Sequence, residues 1–398
     1  MTPTAPGGDP VTQVAAARAA YQPPGPGEGL PSVVPAALTA LGGRLPEGVP
    51  ESAWALPQTR RVVVVMVDGL GARQLARRSG HAPFLRTMTP AVEDAACGFP
   101  STTATSLTSL GTGRLGGDHG VIGWQVGLDG GERLFNHLGW RNGPEPELYQ
   151  PYRTLFQEAG RLDITLTSVS RGQFKGSGFT RAALRGGGYA VADTPEERVQ
   201  GVVEAMKGAG RKGRALVYAY WDEVDKAGHV HGPDALEWGE AVEAVDRYVA
   251  SLAESLPEGT VIVVTADHGM VEAPHARRRD LATGDVLGDG VRLLAGEPRA
   301  PQVWCRPGAV GEVAARWRAE LGPEAVVLTR EEAFEAGWFG PVVRDGVPER
   351  VGDLVVAMLS DATVLDSRLL RPEVLRLRGH HGSITEAETA VPILVHQV

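Results

Sequence analysis

Hydrophobic residues along this chain fall in short dense runs separated by polar turns. Arg61-Val62-Val63-Val64-Val65-Met66-Val67 is apolar at every position after the first, which predicts a strand buried on both faces, as in the middle of a helix-covered parallel sheet. Asp68-Gly69 ends the run with turn chemistry. Comparable runs predict strands at 163–169, 215–220, 260–266 and 352–358, and helical spacing predicts helices at 153–159, 195–208 and 234–256. Strand and helix in alternation predict a layered α/β domain with a mostly parallel sheet. In such sheets functional groups gather beyond the carboxyl ends of the strands.

The pattern also divides the chain. Residues 1–30 mix proline, glycine and alanine and read as a flexible leader outside the fold. A domain over 31–398 follows, interrupted by an inserted α+β subdomain at 285–348, with Val303-Trp304 as strand and Glu312 to Leu321 as helix. The main sheet is expected to resume at Val351.

Composition narrows the function classes. With 398 residues, 42% of them hydrophobic, the chain can build a large core. Its net charge of -9 and the lack of any basic block longer than Arg277-Arg278-Arg279 argue against capture of a nucleic acid duplex. An anionic substrate would need locally placed cations or metal ions. Cys97 and Cys305 are too few for a disulfide framework or a thiolate metal site. The N-terminus shows no signal-peptide pattern and no apolar run is long enough for a membrane span, so a cytoplasmic location with no membrane partner is the expectation.

Polar clusters stand at the predicted strand ends. Asp68 ends the first strand. Five hydroxyls in Ser101-Thr102-Thr103-Ala104-Thr105-Ser106 open a helix, where they could cap it or supply a nucleophile next to a helix N-terminus. Asp225 and His229 lie one helical turn apart, a workable spacing for two ligands of one metal ion, whereas His231 falls off that face. Asp267-His268 follows the strand Val261-Ile262-Val263-Val264, and His380-His381 offers another imidazole near the C-terminus. Taken singly, each is more often structural. Together they put oxygen and nitrogen donors on one sheet edge, a set that suits zinc, with manganese as the alternative.

This ordered set, Asp68-Gly69, Phe99-Pro100-Ser101-Thr102-Thr103, Thr112-Gly113, His119-Gly120, Asp225 to Pro233, Asp267-His268-Gly269 and His381-Gly382, resembles the alkaline phosphatase superfamily, and its type I phosphodiesterase/nucleotide pyrophosphatase group most. The resemblance spans Arg61 to Val395. It implies a three-layer α/β sandwich with two metal ions, one held by Asp225, His229 and His381 and the other by Asp68, Asp267 and His268. It also implies Thr103 as nucleophile, bound to the second ion, with Thr102 as the alternative register. The implied reaction is hydrolysis of a small phosphate ester such as a nucleotide through a phospho- or nucleotidyl-enzyme intermediate. The group's Pro-Asn-His stretch after the nucleophile is here Thr105-Ser106-Leu107, so Ser106 is the substitute phosphate contact. Arg171 and Lys175 are candidate substrate cations, and Trp124 a candidate stacking face. Alternatives are a phosphomonoesterase, phosphonate hydrolase or mutase-like relative, or a catalytically silent metal-binding protein. A sulfatase is excluded, because no Cys/Ser-x-Pro-x-Arg stretch occurs at 99–106.

Overall fold

The structure, a computed structural model, describes residues 10–210 and 212–398. Its strands include β1 (Arg61–Val67), β2 (Thr89–Pro90), β3 (Ile164–Ser170), β4 (Gly188–Val191), β5 (Arg214–Trp221), β6 (Thr260–Thr265), β7 (Val291–Glu297), β8 (Ala300–Cys305), β9 (Ala325–Thr329), β10 (Leu354–Met358) and β11 (Ile393–Gln397). Its helices include α1 (Pro10–Ala20), α2 (Thr103–Thr112), α3 (Leu155–Arg161), α4 (Pro195–Gly208), α5 (Glu223–His231), α6 (Leu236–Ser255) and α7 (Val310–Leu321).

The valine run becomes the centre of the main sheet, ordered β2-β11-β6-β1-β5-β3-β4. From β6 to β4 the strands run parallel, while β11 runs antiparallel to β6 and the short β2 pairs antiparallel to β11 at that edge. Val62 to Val67 are fully buried because helices cover both faces. Helices α2 and α3 pack on one another, and α4 packs on α6, forming the outer layers of an α/β sandwich. Since β6, β1 and β5 are adjacent and parallel, their carboxyl ends finish together, which carries Asp267, Asp68 and Asp222 to one edge. Gly69 makes the turn after β1 with φ 73°, and a Cβ there would stand 2.8 Å from the Asp225 backbone, so glycine is what lets α5 approach.

The second sheet, antiparallel and ordered β7-β8-β10-β9, corrects the domain boundaries read from the sequence. The run expected to return to the main sheet at 351–358 is β10, which pairs with β8 and β9 instead. Its pattern misleads because both of its faces are buried. Leu354, Val356 and Met358 pack with Val313 and Trp317 of α7, while Val355 and Ala357 pack with Phe99, Trp338 and Phe339.

That second cluster also contains Val14, Ala17 and Tyr21. The expected leader therefore differs from the structure over 10–21: α1 docks on the small sheet, and Trp338 Nε1 donates to Ala17 O at 3.2 Å. Three apolar contacts at helical spacing were masked by alanine-rich composition. Residues 1–9 of that expectation lie outside the described residues. Among the described residues no helix is long and apolar enough to cross a membrane.

The tip of the β7–β8 hairpin reaches back to the main domain. Arg299, 1% exposed, makes a bidentate pair with fully buried Glu388 at 2.6 and 2.8 Å and donates to the Ser360 and Met358 carbonyls. Removing one partner of such a buried pair leaves an uncompensated charge. Arg299→Met should cost about 3–5 kcal/mol in denaturant unfolding, and a second change, Glu388→Leu, should recover much of it. A single-variant loss below ~1 kcal/mol would show the pair to be dispensable.

Candidate active site

Donor atoms meet at the edge where β6, β1 and β5 end. The ligand atoms of Asp68, Asp267 and His268 lie within 4.8 Å of one another, as do those of Asp225, His268 and His381. His268 Nε2 is 3.4 Å from both Asp68 Oδ1 and Asp267 Oδ2. His229 Nε2 is 3.4 Å from Asp225 Oδ1, and His381 Nε2 is 4.0 Å from the same oxygen. His229 thus stands beside Asp225 but outside the tightest group, and His268 is shared between the two groups.

The surroundings fix one side of each donor. His229, His268 and His381 point Nδ1 at the carbonyls of Gly379, Gly269 and Ser101, at 2.8, 2.9 and 2.9 Å. Each therefore presents Nε2 inward, the arrangement by which second-layer carbonyls orient metal-binding imidazoles. Asp267 Oδ1 accepts the Gly69 and His268 N–H groups at 3.0 Å, and Asp68 Oδ2 accepts the Tyr220 phenol. The remaining oxygens, Asp68 Oδ1, Asp225 Oδ1 and Asp267 Oδ2, are buried without a hydrogen-bond partner. Burial, with Asp267 and Asp225 nearby, raises the Asp68 carboxyl well above its ordinary range. Burial, with His268 and His229 nearby, lowers His381 well below its own. Crowded carboxylates with orphaned oxygens and inward-facing imidazole nitrogens fit a divalent cation.

The hydroxyl cluster resolves by position. Ser101 Oγ donates to Ser383 O at 2.6 Å, and Thr105 Oγ1 accepts the Gly123 N–H at 2.8 Å. Thr102, 2% exposed, is the helix N-cap residue with its hydroxyl beside Glu297. Thr103, the first residue of α2, is the partly exposed member, and its Oγ1 lies 3.2 Å from His268 Nε2.

These groups open into a cavity of about 310 Å³ whose wall includes Thr102, Thr103, Trp124, Phe174, Tyr189 and Tyr220. Three sequence expectations part from it. Ser106 is fully buried, faces Cys97 and does not line the cavity, because Thr103 and Leu107 take the inward face of α2. Arg171 is engaged by Asp222 at 2.8 Å and Glu223 at 2.6 Å, a pair of carboxylates that buried Arg198 also joins. Lys175 is exposed, and neither cation lines the cavity. Trp124 does. His231 is exposed beside Glu237, away from the site, and His380 lines the wall outside both tight groups.

Two wall residues went unread in the sequence. Tyr220 shares a strand face with Tyr218, and paired phenols beside the Asp68 strand were the available signal. Glu297 is 3% exposed and accepts the Trp124 N–H at 2.6 Å, while its Oε2 has no hydrogen-bond partner. Burial raises its carboxyl to about 7. It arrives from the β7–β8 hairpin tip, where Gly296-Glu297-Pro298 reads as an ordinary turn.

A central parallel sheet with Asp/His donors and a helix-borne threonine at its carboxyl edge defines an alkaline phosphatase-like hydrolase architecture. Comparison bears this out: residues 62–384 match the family described as type I phosphodiesterase/nucleotide pyrophosphatase, and the chain belongs to that family of enzymes. It is 28% identical over 197 residues to human ectonucleotide pyrophosphatase/phosphodiesterase family member 7, a stretch covering 46% of this chain and 40% of that protein. The chain thus matches less than half the length of this curated relative. Its fold is similar to murine ectonucleotide pyrophosphatase/phosphodiesterase 5, with TM-score 0.67 and 20% identity over 84% of this chain and 88% of the other. It is also similar to phosphonoacetate hydrolase from Sinorhizobium meliloti, with TM-score 0.64 and 20% identity over 88% and 92%.

Since Lys175 and the Ser106 hydroxyl stand off the cavity, Lys175→Ala and Ser106→Ala should leave kcat/KM for any phosphate ester within ~3-fold of wild type. A larger loss in steady-state kinetics, with the melting temperature unchanged, would return them to the substrate site.

Proposed function

We propose that this protein is a two-metal hydrolase that cleaves phosphodiester or pyrophosphate bonds of small nucleotide-like esters, with Thr103 as nucleophile. The observation carrying the proposal is the convergence of three unpartnered buried carboxylate oxygens with inward imidazole nitrogens, beside the partly exposed Thr103 hydroxyl. Asp68, Asp267 and His268, with Thr103, would hold one ion, and Asp225, His229 and His381 the other. The oxygen and nitrogen donor set suits zinc, with manganese as the alternative. When bound, such a pair of ions supplies positive charge to both the attacking and the leaving oxygen of an in-line displacement.

The chain's own residues do the rest. Thr103 Oγ attacks phosphorus and the ester oxygen departs, the threonine proton leaving with it as the alcohol, so that a phosphoryl or nucleotidyl group stays on Thr103. Water then attacks the same phosphorus and one of its protons returns to Thr103, which is released with its hydroxyl restored. The α2 N-terminus directs backbone N–H groups toward phosphoryl oxygens. Trp124, Phe174 and Tyr189 offer aromatic faces to the organic group. That wall favours an organic ester over a compact carboxylated phosphonate. The cavity-lining Lys226, which such a carboxylate would need, already donates to Asp222. A murine family member crystallised with AMP, described as inactive and carrying a threonine-to-alanine change, supports both a nucleotide ligand and a working threonine.

The test compares bis-p-nitrophenyl phosphate, p-nitrophenyl phosphate and the p-nitrophenyl ester of thymidine monophosphate, using metal-stripped and zinc-reloaded protein. Diester cleavage restored by zinc is expected. Monoester preference would move the protein to the phosphatase branch, and inactivity with zinc and manganese alike would favour a silent metal-binding protein.

Thr103→Ala should lower turnover by at least ~10³-fold, as loss of a nucleophile does, with Thr102→Ala within ~10-fold. The reverse result would shift the register by one residue. Tyr220→Phe releases Asp68 Oδ2 and should weaken metal binding ~10–100-fold, read by chelator competition. Equal affinities would remove Tyr220 from the site's support.

A further inference from the structure

Glu297 is a buried acid in a cavity otherwise suited to anions, and the chemistry above does not use it. Its backbone belongs to the inserted hairpin, yet its carboxylate stands on the same wall as Thr102 and Thr103. Oε1 is tied to the Trp124 N–H, whereas Oε2 is buried and unpartnered. Packing holds the side chain there, because a Cβ on Gly382 would come within 2.7 Å of the Glu297 Cβ and one on Gly123 within 3.4 Å of its Oε2. No lysine or arginine pairs with it among the described residues: the lysine in the wall is paired with Asp222, and Arg171 and Arg198 are paired with Asp222 and Glu223. The Thr102 hydroxyl and His268 are the nearby groups that favour its charged form.

We propose that Glu297 is a specificity-determining residue that limits the negative charge the site accepts, selecting monoanionic phosphodiesters against dianionic phosphomonoesters. The inference rests on the two-metal reading above. Two divalent ions over Asp68, Asp225 and Asp267 leave one net positive charge, and the Glu297 carboxylate, in its ionised form, cancels it. A diester then adds a single negative charge beside the free Oε2, and a monoester adds two. At the separations of a closed cavity the second charge is repelled strongly enough to change relative affinity by an order of magnitude or more. Glutamine keeps the acceptor for Trp124 and removes the charge, which separates this role from a merely structural one.

The experiment uses zinc-loaded wild type, Glu297→Gln and Glu297→Asp, assayed on bis-p-nitrophenyl phosphate and p-nitrophenyl phosphate. Inorganic phosphate and dimethyl phosphate are titrated calorimetrically into each, at a pH where phosphate is dianionic. In Glu297→Gln the monoester-to-diester ratio of kcat/KM should rise ~10-fold or more, and phosphate should bind tighter by a similar factor. Dimethyl phosphate should change less than ~2-fold, and Glu297→Asp, which keeps the charge, should keep the wild-type preference. Unchanged ratios in a folded Glu297→Gln protein overturn the proposal. If wild type hydrolyses neither substrate, the hydrolase reading fails while the calorimetric ratio still decides the role of Glu297. Should Glu297→Gln not fold, wild type decides, and phosphate bound ~10-fold tighter than dimethyl phosphate would overturn the proposal.

Discussion

Negative charge gathered where it is least comfortable is the constraint on which the rest of this structure depends. Three adjacent parallel strands end at one level, so the aspartates that follow them are forced together: Asp68 and Asp267 share one tight group, and Asp225 begins the next. Two like charges ~4 Å apart repel by roughly 4 kcal/mol at the effective dielectric of a protein surface, and burial adds to the cost. The protein offsets part of this locally. One oxygen of Asp267 takes two backbone N–H groups and one of Asp68 takes the Tyr220 phenol, so in each the geometry is fixed and the other oxygen is left facing the site. The imidazoles obey the same rule, with Nδ1 anchored on a carbonyl and Nε2 free. Such a site is preorganised before any ligand arrives.

Stability and function meet at the hairpin tip. Glu388, the partner of Arg299, also accepts the Ser383 N–H, two residues beyond His381. The Ser101 hydroxyl binds the Ser383 carbonyl, and the Ser101 carbonyl receives His381. The small sheet, the hydroxyl-bearing turn before α2 and the last imidazole are therefore one hydrogen-bonded unit. An insertion that looks peripheral in sequence holds the His381 loop in place from behind and delivers Glu297 to the cavity from in front.

Much of this was legible because the informative signals are local. The valine run became β1 at the same residues, and the helices at 195–208 and 234–256 fall within two residues of α4 and α6. Asp-Gly, Asp-His-Gly and the paired Asp225 and His229 each occupy a few residues, so their spacing survives without knowledge of the fold. Long-range relations were hidden. Nothing near Arg171 says that Asp222 and Glu223, some 50 positions on, will meet its guanidinium. Ser106 was misjudged by helical phase, since it stands one residue, about 100° of rotation, from Leu107 on the inward face of α2 and faces Cys97 instead. β10 was assigned to the wrong sheet because a strand buried on both faces carries the same pattern in either sheet.

The choice between Thr102 and Thr103 shows how a single position in a helix settles what neighbouring hydroxyls can do. An N-cap residue has extended backbone, here φ −146° and ψ 151° at Thr102. Thr102 offers no capping bond and stands instead beside Glu297. One residue later the backbone is helical, the side chain leans back over the N-terminus, and the hydroxyl enters the positive end of the dipole next to His268. Adjacent threonines of the same chemistry are thereby divided between a wall that carries negative charge and an edge built to attract it. Backbone geometry alone thus gives two neighbouring hydroxyls different surroundings, one beside a buried carboxylate and the other beside an imidazole.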